Sequence, residues 1–140
     1  MFQTAMFLEL LEMIRDNCYA NSKAHGFWEE KGSDWNLGEK IALIHSELSE
    51  ALEAHRSKLP TMFLHNDIQY HWQDGQVKMT PQRDKEMKLL SKPEGLPIEL
   101  ADAIIRIMDL CGKLDIDIGR AILTKMEYNS TRPHKHGRNY

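Results

Sequence analysis

Cysteine is nearly missing from this 140-residue chain: Cys18 and Cys111 are its two thiols, and each falls in an apolar stretch of helical spacing. That excludes a disulfide-stapled scaffold or a cysteine-rich zinc site, and buried, reduced thiols are expected instead. Long hydrophobic runs are missing too. None approaches the roughly 18 apolar residues that a membrane span needs, and Met1-Phe2-Gln3-Thr4 lacks the positive region of a signal peptide. The expected compartment is therefore the cytoplasm, with no membrane partner. There is no basic run either, and Lys and Arg (18) are outnumbered by Asp and Glu (21), for a formal net charge of −3. Duplex nucleic acid is not expected as a main partner, because neutralising its phosphates takes clustered Lys and Arg. A nucleotide needs only a few local cations and stays open.

What is present is ordinary for a globular protein, with 41% hydrophobic and 28% charged residues in a chain long enough for one domain with a real core. Phe2, Met6, Phe7, Leu10, Leu11, Met13, Ile14 and Cys18 recur at helical spacing and predict a first helix over about residues 2–20. A loop over Asn21–Asn36 carries Phe27, Trp28 and Trp35, and a second helix follows over Leu37–Arg56. Pro60 breaks the pattern. Residues 57–92 then read as an insertion, with Asp74-Gly75 as a turn signal suited to a short hairpin. Pro97 suits the first turn of a third helix that runs to about Cys111 and stops at Gly112. Asp115 is the expected N-cap of a fourth helix through Tyr128, and residues 131–140 form a polar, basic tail. The expected fold is all-α: a bundle of about four main helices forming one domain over 1–140, with the insertion between helices 2 and 3.

The third helix carries the chemistry. Between Ile98 and Cys111 nearly every residue is apolar except Glu99, Asp102, Arg106 and Asp109, spaced by three, four and three. These four make one narrow polar stripe. A helix so largely apolar should be enclosed by other helices or by a partner subunit, which leaves the stripe lining a cleft. Buried carboxylates are costly unless paired, hydrogen-bonded or metal-bound. Glu99 and Asp102 lie one turn apart, and the second helix offers Glu47 and Glu50 at the same spacing. Antiparallel packing would gather the four carboxylates around a divalent cation, and all-oxygen ligation suits Mg²⁺ or Mn²⁺. The competing arrangement leaves Glu47 and Glu50 exposed and pairs Asp102 with Arg106. The E-x-x-E of Glu9 and Glu12 on the first helix reads as a solvated face.

Glu47-Leu48-Ser49-Glu50 followed by Glu99-Leu100-Ala101-Asp102 resembles the E-x-x-E … E-x-x-D signature of MazG-like, all-α nucleoside triphosphate pyrophosphohydrolases. The flanking runs Gly38–Ser46 and Lys92–Ile98, and the exit Lys125-Met126-Glu127-Tyr128-Asn129-Ser130-Thr131-Arg132-Pro133 with His136-Gly137, extend the likeness over most of 24–56 and 92–140. The resemblance implies a homodimer or homotetramer that hydrolyses a nucleoside or deoxynucleoside triphosphate to the monophosphate and pyrophosphate. It implies Glu47, Glu50, Glu99 and Asp102 as Mg²⁺ ligands and Lys125, Asn129 and Arg132 as phosphate or substrate contacts. Trp28 would stack on the base, Trp35 would belong to the core, and Glu50 would be the first candidate for the catalytic carboxylate. Ser46 stands where some members carry a further Glu, and the insertion lengthens the separation between the two pairs. No family role carries into 57–92, where His65, Tyr70, His71 and Trp72 lie, and His134 and His136 read as part of an exposed basic tail.

Two other classes compete. A di-iron carboxylate bundle needs Glu-x-x-His pairs, and no Glu here has His three residues on. A non-catalytic helical interaction protein would use the stripe only as a salt-bridge network through Arg106.

Overall fold

Four helices carry the chain in the computed structural model: α1 Phe2–Ala24, α2 Leu37–Arg56, α3 Leu96–Lys113 and α4 Ile118–Ser130. The structure describes the backbone of residues 2–29, 35–58, 61–65, 68–73, 76–81 and 93–133, and side chains within 4–29, 35–58 and 93–133. The fold class is all-α. The stretch between α2 and α3 holds a small antiparallel meander of β1 (Thr61–His65), β2 (Ile68–Gln73) and β3 (Gln76–Pro81). Gln73 pairs with Gln76, so two residues join β2 to β3 where Asp74-Gly75 signalled a turn. β1, which the sequence did not announce, pairs from Thr61↔Trp72 to His65↔Ile68. The side chains of His65, Tyr70, His71 and Trp72, and residues 134–140 with His134 and His136, lie outside the described residues.

Met1–Trp35 with Met108–Tyr140 form one compact unit and Asn36–Ile107 a second. In the second, Asn36 caps α2 by accepting hydrogen bonds from Gly38 N (2.8 Å) and Glu39 N (3.3 Å), which satisfies two of the helix's first amides. Ala51, Ala54 and Ala103 are buried there, with the carboxylates of Glu47 and Glu99. In the first unit α1 packs on α4. A Cβ at Gly119 would come within 3.0 Å of Leu8 Cδ2, so the absent side chain at the start of α4 lets the two helices approach.

The helix boundaries depart from the sequence reading in three places. α1 continues past residue 20 to Ala24 and is closed by Gly26, whose φ is +79°. Phe27 N bonds Ser22 O and Gly26 N bonds Lys23 O, the paired closure of a Schellman motif. Gly112 does not stop α3, which runs through it to Lys113. A Cβ at 112 would stand 2.5 Å from the Cβ of Tyr19, so this glycine serves close packing of α3 on α1. The N-cap of α4 is Asp117, two residues beyond the expected Asp115; its side chain accepts from Arg120 N. That hydrogen bond is the main reason its carboxyl lies below the ordinary range.

Asp115 ends α3 instead. Its φ is +53°, Asp115 N bonds Gly112 O and Ile116 N bonds Cys111 O, repeating the closure seen at Gly26 with a residue that has a side chain. Left-handed backbone strains L-residues, although Asp tolerates it better than most. Asp115→Gly is therefore expected to raise stability by about 0.5–1 kcal/mol, read as a higher urea midpoint at unchanged slope.

Candidate metal centre

The site is built within the Asn36–Ile107 unit from one turn of α2 and two turns of α3. Glu47, Glu99 and Asp102 each bring a carboxylate oxygen to within 4.8 Å of the others. Glu47 is 6% exposed, Glu99 7%, and Asp102 half-buried. The spacing of three between Glu99 and Asp102 puts both on one face of α3, and Glu47 meets them from α2. Glu50, one turn beyond Glu47, is exposed and stands outside this trio. Two carboxylates from α3 and one from α2 thus come together, and the fourth lies at the surface.

Arg106 divides the stripe differently from the competing expectation. Its Nε donates to Glu47 Oε1 at 2.6 Å, so the ion pair crosses from α3 to α2. Glu47 is buried, contrary to the arrangement that exposed it. Asp109, the last member of the stripe, belongs to the other unit. There its carboxylate accepts from Ser22 Oγ at 2.9 Å and from Trp28 Nε1 at 2.7 Å.

The donor set fits a small divalent cation. Mg²⁺ holds oxygens at about 2.0–2.1 Å, so opposed ligands sit roughly 4.2 Å apart; Ca²⁺, at about 2.3–2.6 Å, allows roughly 5 Å. Three ligands cannot all be opposed, and neighbouring octahedral positions stand roughly 2.9 Å apart, so oxygens within 4.8 Å of one another must close by as much as about 2 Å to share one Mg²⁺ or Mn²⁺. All-carboxylate donation is the hard-ligand chemistry these ions prefer.

Trp28 sits in an aromatic group. It meets Tyr19 edge-on at 6.1 Å between centroids and Trp35 at 5.7 Å, and Lys113 Nζ lies 5.3 Å from its ring centre. Trp28 and Trp35 are half-buried and Phe27 is exposed. His25 turns back on its own helix, with Nδ1 2.8 Å from Asn21 O. The sequence showed Asp109 as part of the stripe without revealing these partners. Replacing Asp109 by Ala removes the shared acceptor of a hydroxyl and an indole N–H and is expected to cost about 2–3 kcal/mol. Urea unfolding checks the loss, and a red-shifted tryptophan emission before the main transition checks that the aromatic group loosens.

Lys125, Asn129 and Arg132 lie exposed at the end of α4 and just past it. Tyr128, to which the sequence reading gave no role, joins two of them: Lys125 Nζ is 5.0 Å and the Arg132 guanidinium 5.9 Å from its ring centre. The signal was the spacing, Tyr128 standing three residues after Lys125 and four before Arg132. A shallow cavity of about 630 Å³ beside it is lined by Asp117, Arg120, Ala121, Thr124, Lys125 and Tyr128.

Cys18 and Cys111 are free thiols, half-buried and buried respectively. Burial pushes both up from the ordinary thiol range, with the Asp109 charge adding to the effect at Cys18. Among the described residues no helix is long and apolar enough to cross a membrane. No model of a known protein family matches this chain, and neither a curated protein nor a solved structure matches it.

Proposed function

We propose that this protein is a cytoplasmic, Mg²⁺-dependent hydrolase that converts a nucleoside or deoxynucleoside triphosphate to the monophosphate and pyrophosphate, as its MazG-like motifs imply. The observation that carries the reading is the convergence of Glu47, Glu99 and Asp102 from two helices. A bound Mg²⁺ (or Mn²⁺) supplies charge to offset that developing on the phosphate oxygens. Glu47, Glu99 and Asp102 would hold it. Glu50 is exposed one turn from Glu47, where water and substrate reach it, so it completes the ligand set or takes the proton from the water that attacks the α-phosphorus. By the resemblance, Lys125, Asn129 and Arg132 would contact phosphate or substrate, Arg as a planar fork and Lys as a point charge. Trp28 contributes to the base side.

A homodimer or homotetramer is part of the same reading. Leu96, Leu100, Ile104 and Ile107 recur along α3 and are 37–54% exposed, and Leu37, Ile41, Leu48 and Leu52 on α2 are 43–48% exposed. Among the described residues the enclosure expected for α3 is incomplete, and in this reading a second copy would supply it.

A panel of NTPs and dNTPs, including modified bases, assayed with Mg²⁺ and with Mn²⁺ tests the proposal. Pyrophosphate and monophosphate in equal amounts are expected; orthophosphate as the sole primary product overturns attack at the α-phosphorus. The Arg106–Glu47 ion pair favours one second reading, a non-catalytic helical interaction protein in which the stripe is structural. Thermal melting separates the two, since a shift of several degrees with Mg²⁺ requires a site and a scaffold gives none.

A further inference from the structure

Glu47 cannot be solvated where it sits: its side chain is 8% exposed, and oxygens of Glu99 and Asp102 lie within 4.8 Å. Three carboxylates at this spacing repel one another, and the fold tolerates them only with positive charge at hand. Arg106 brings such a charge. Its Nε–Oε1 distance of 2.6 Å is at the short end for a charge-assisted hydrogen bond. Yet the Arg106 side chain is 40% exposed, so its guanidinium has a route into water that Glu47 lacks.

We propose that Arg106 is the resident counter-ion of the carboxylate cluster and gives up Glu47 when a divalent cation enters. The proposal rests on the metal-site reading above and adds to it a device that sets the affinity. The guanidinium holds one oxygen of Glu47 while the cluster is empty of metal, which keeps α2 and α3 together without one. A cation that takes Glu47 must displace this bond, so its apparent affinity is its intrinsic affinity reduced by that competition. Arg106 is four residues on from Asp102 along the same stripe, so its charge also opposes an incoming cation at close range.

Calorimetric titration of the full chain with MgCl₂ and MnCl₂ tests this, with wild type compared to Arg106→Gln and Arg106→Lys. Gln keeps a hydrogen-bond donor and removes the charge; Lys keeps the charge. R106Q is expected to bind Mg²⁺ about tenfold more tightly or better, to melt lower than wild type in EDTA, and to regain the difference with Mg²⁺. R106K should stay near wild type in all three. If wild type binds Mg²⁺ and folded R106Q binds it no more tightly, the counter-ion role is overturned while the metal site stands. If neither protein binds either ion at millimolar concentration, both fall. Should R106Q unfold in EDTA, recovery of helical circular dichroism with Mg²⁺ but not with K⁺ supports the role, and no recovery overturns it.

Discussion

Asp102→Asn is expected to lower pyrophosphate release by at least about a hundredfold while making the metal-free protein more resistant to heat. Both effects come from one change. Asp102 is half-buried beside the nearly buried Glu47 and Glu99, with their oxygens within 4.8 Å. Removing one negative charge relieves repulsion in the metal-free state and removes a ligand from the loaded one. The melting temperature in EDTA should rise, and the further rise on adding Mg²⁺ should vanish. Glu50→Gln provides the contrast: turnover is lost in the same assay, but Glu50 is exposed, so the melting temperature in EDTA should barely move. Near-normal turnover in both variants would overturn the assignment of these carboxylates. Lost turnover with an unchanged Mg²⁺ shift in Asp102→Asn would leave Asp102 acting on substrate and not as a ligand.

Gly112→Ala is expected to be the most destabilising single-methyl change in the helices. Its Cβ would lie 2.5 Å from the Cβ and 3.0 Å from the Cγ of Tyr19. A Cβ is fixed to the backbone, so neither side can turn a rotamer away, and α1 and α3 must separate. Overpacking of this kind costs about 3 kcal/mol, which outweighs the ~1 kcal/mol gained by replacing a mid-helix glycine with alanine. The net loss of about 2 kcal/mol should lower the melting temperature by roughly 6–8 °C. Tyr19→Ala should not rescue it, because the nearest clashing atom is the Cβ that alanine keeps. Rescue by that substitution would mean the ring, and not the backbone approach, makes position 112 require glycine.

Much of the architecture was legible because it is written in local periodicity. α2 runs over Leu37–Arg56 as its apolar spacing implies. The ends of α3 and α4 lie elsewhere than local signals place them, for one shared reason. Gly112 reads locally as a stop and Asp115 as an N-cap, whereas the use of each depends on what it meets: Tyr19 at 112, a left-handed closure at 115. The meander between α2 and α3 was half legible, since Asp74-Gly75 marks the β2–β3 link while the β1–β2 link carries Asn66-Asp67, a turn pair without the glycine that makes such a signal strong.

The carboxylates divide in the same way. The spacing of Glu99, Asp102, Arg106 and Asp109 by three, four and three placed them on one stripe of α3 with no reference to any neighbour, because helix geometry alone determines it. Which groups the stripe meets is a matter of distant residues coming together, and periodicity within one helix carries no information on that. Tertiary structure gave Glu47 to Arg106 across the two helices, left Glu50 in water, and sent Asp109 to Ser22 and Trp28. The sequence alone determined that four polar groups share one face of an apolar helix. Only the packing of α2 against α3 decided that three carboxylates meet there, because the charge of a buried acid is tolerated only where another element brings it a partner.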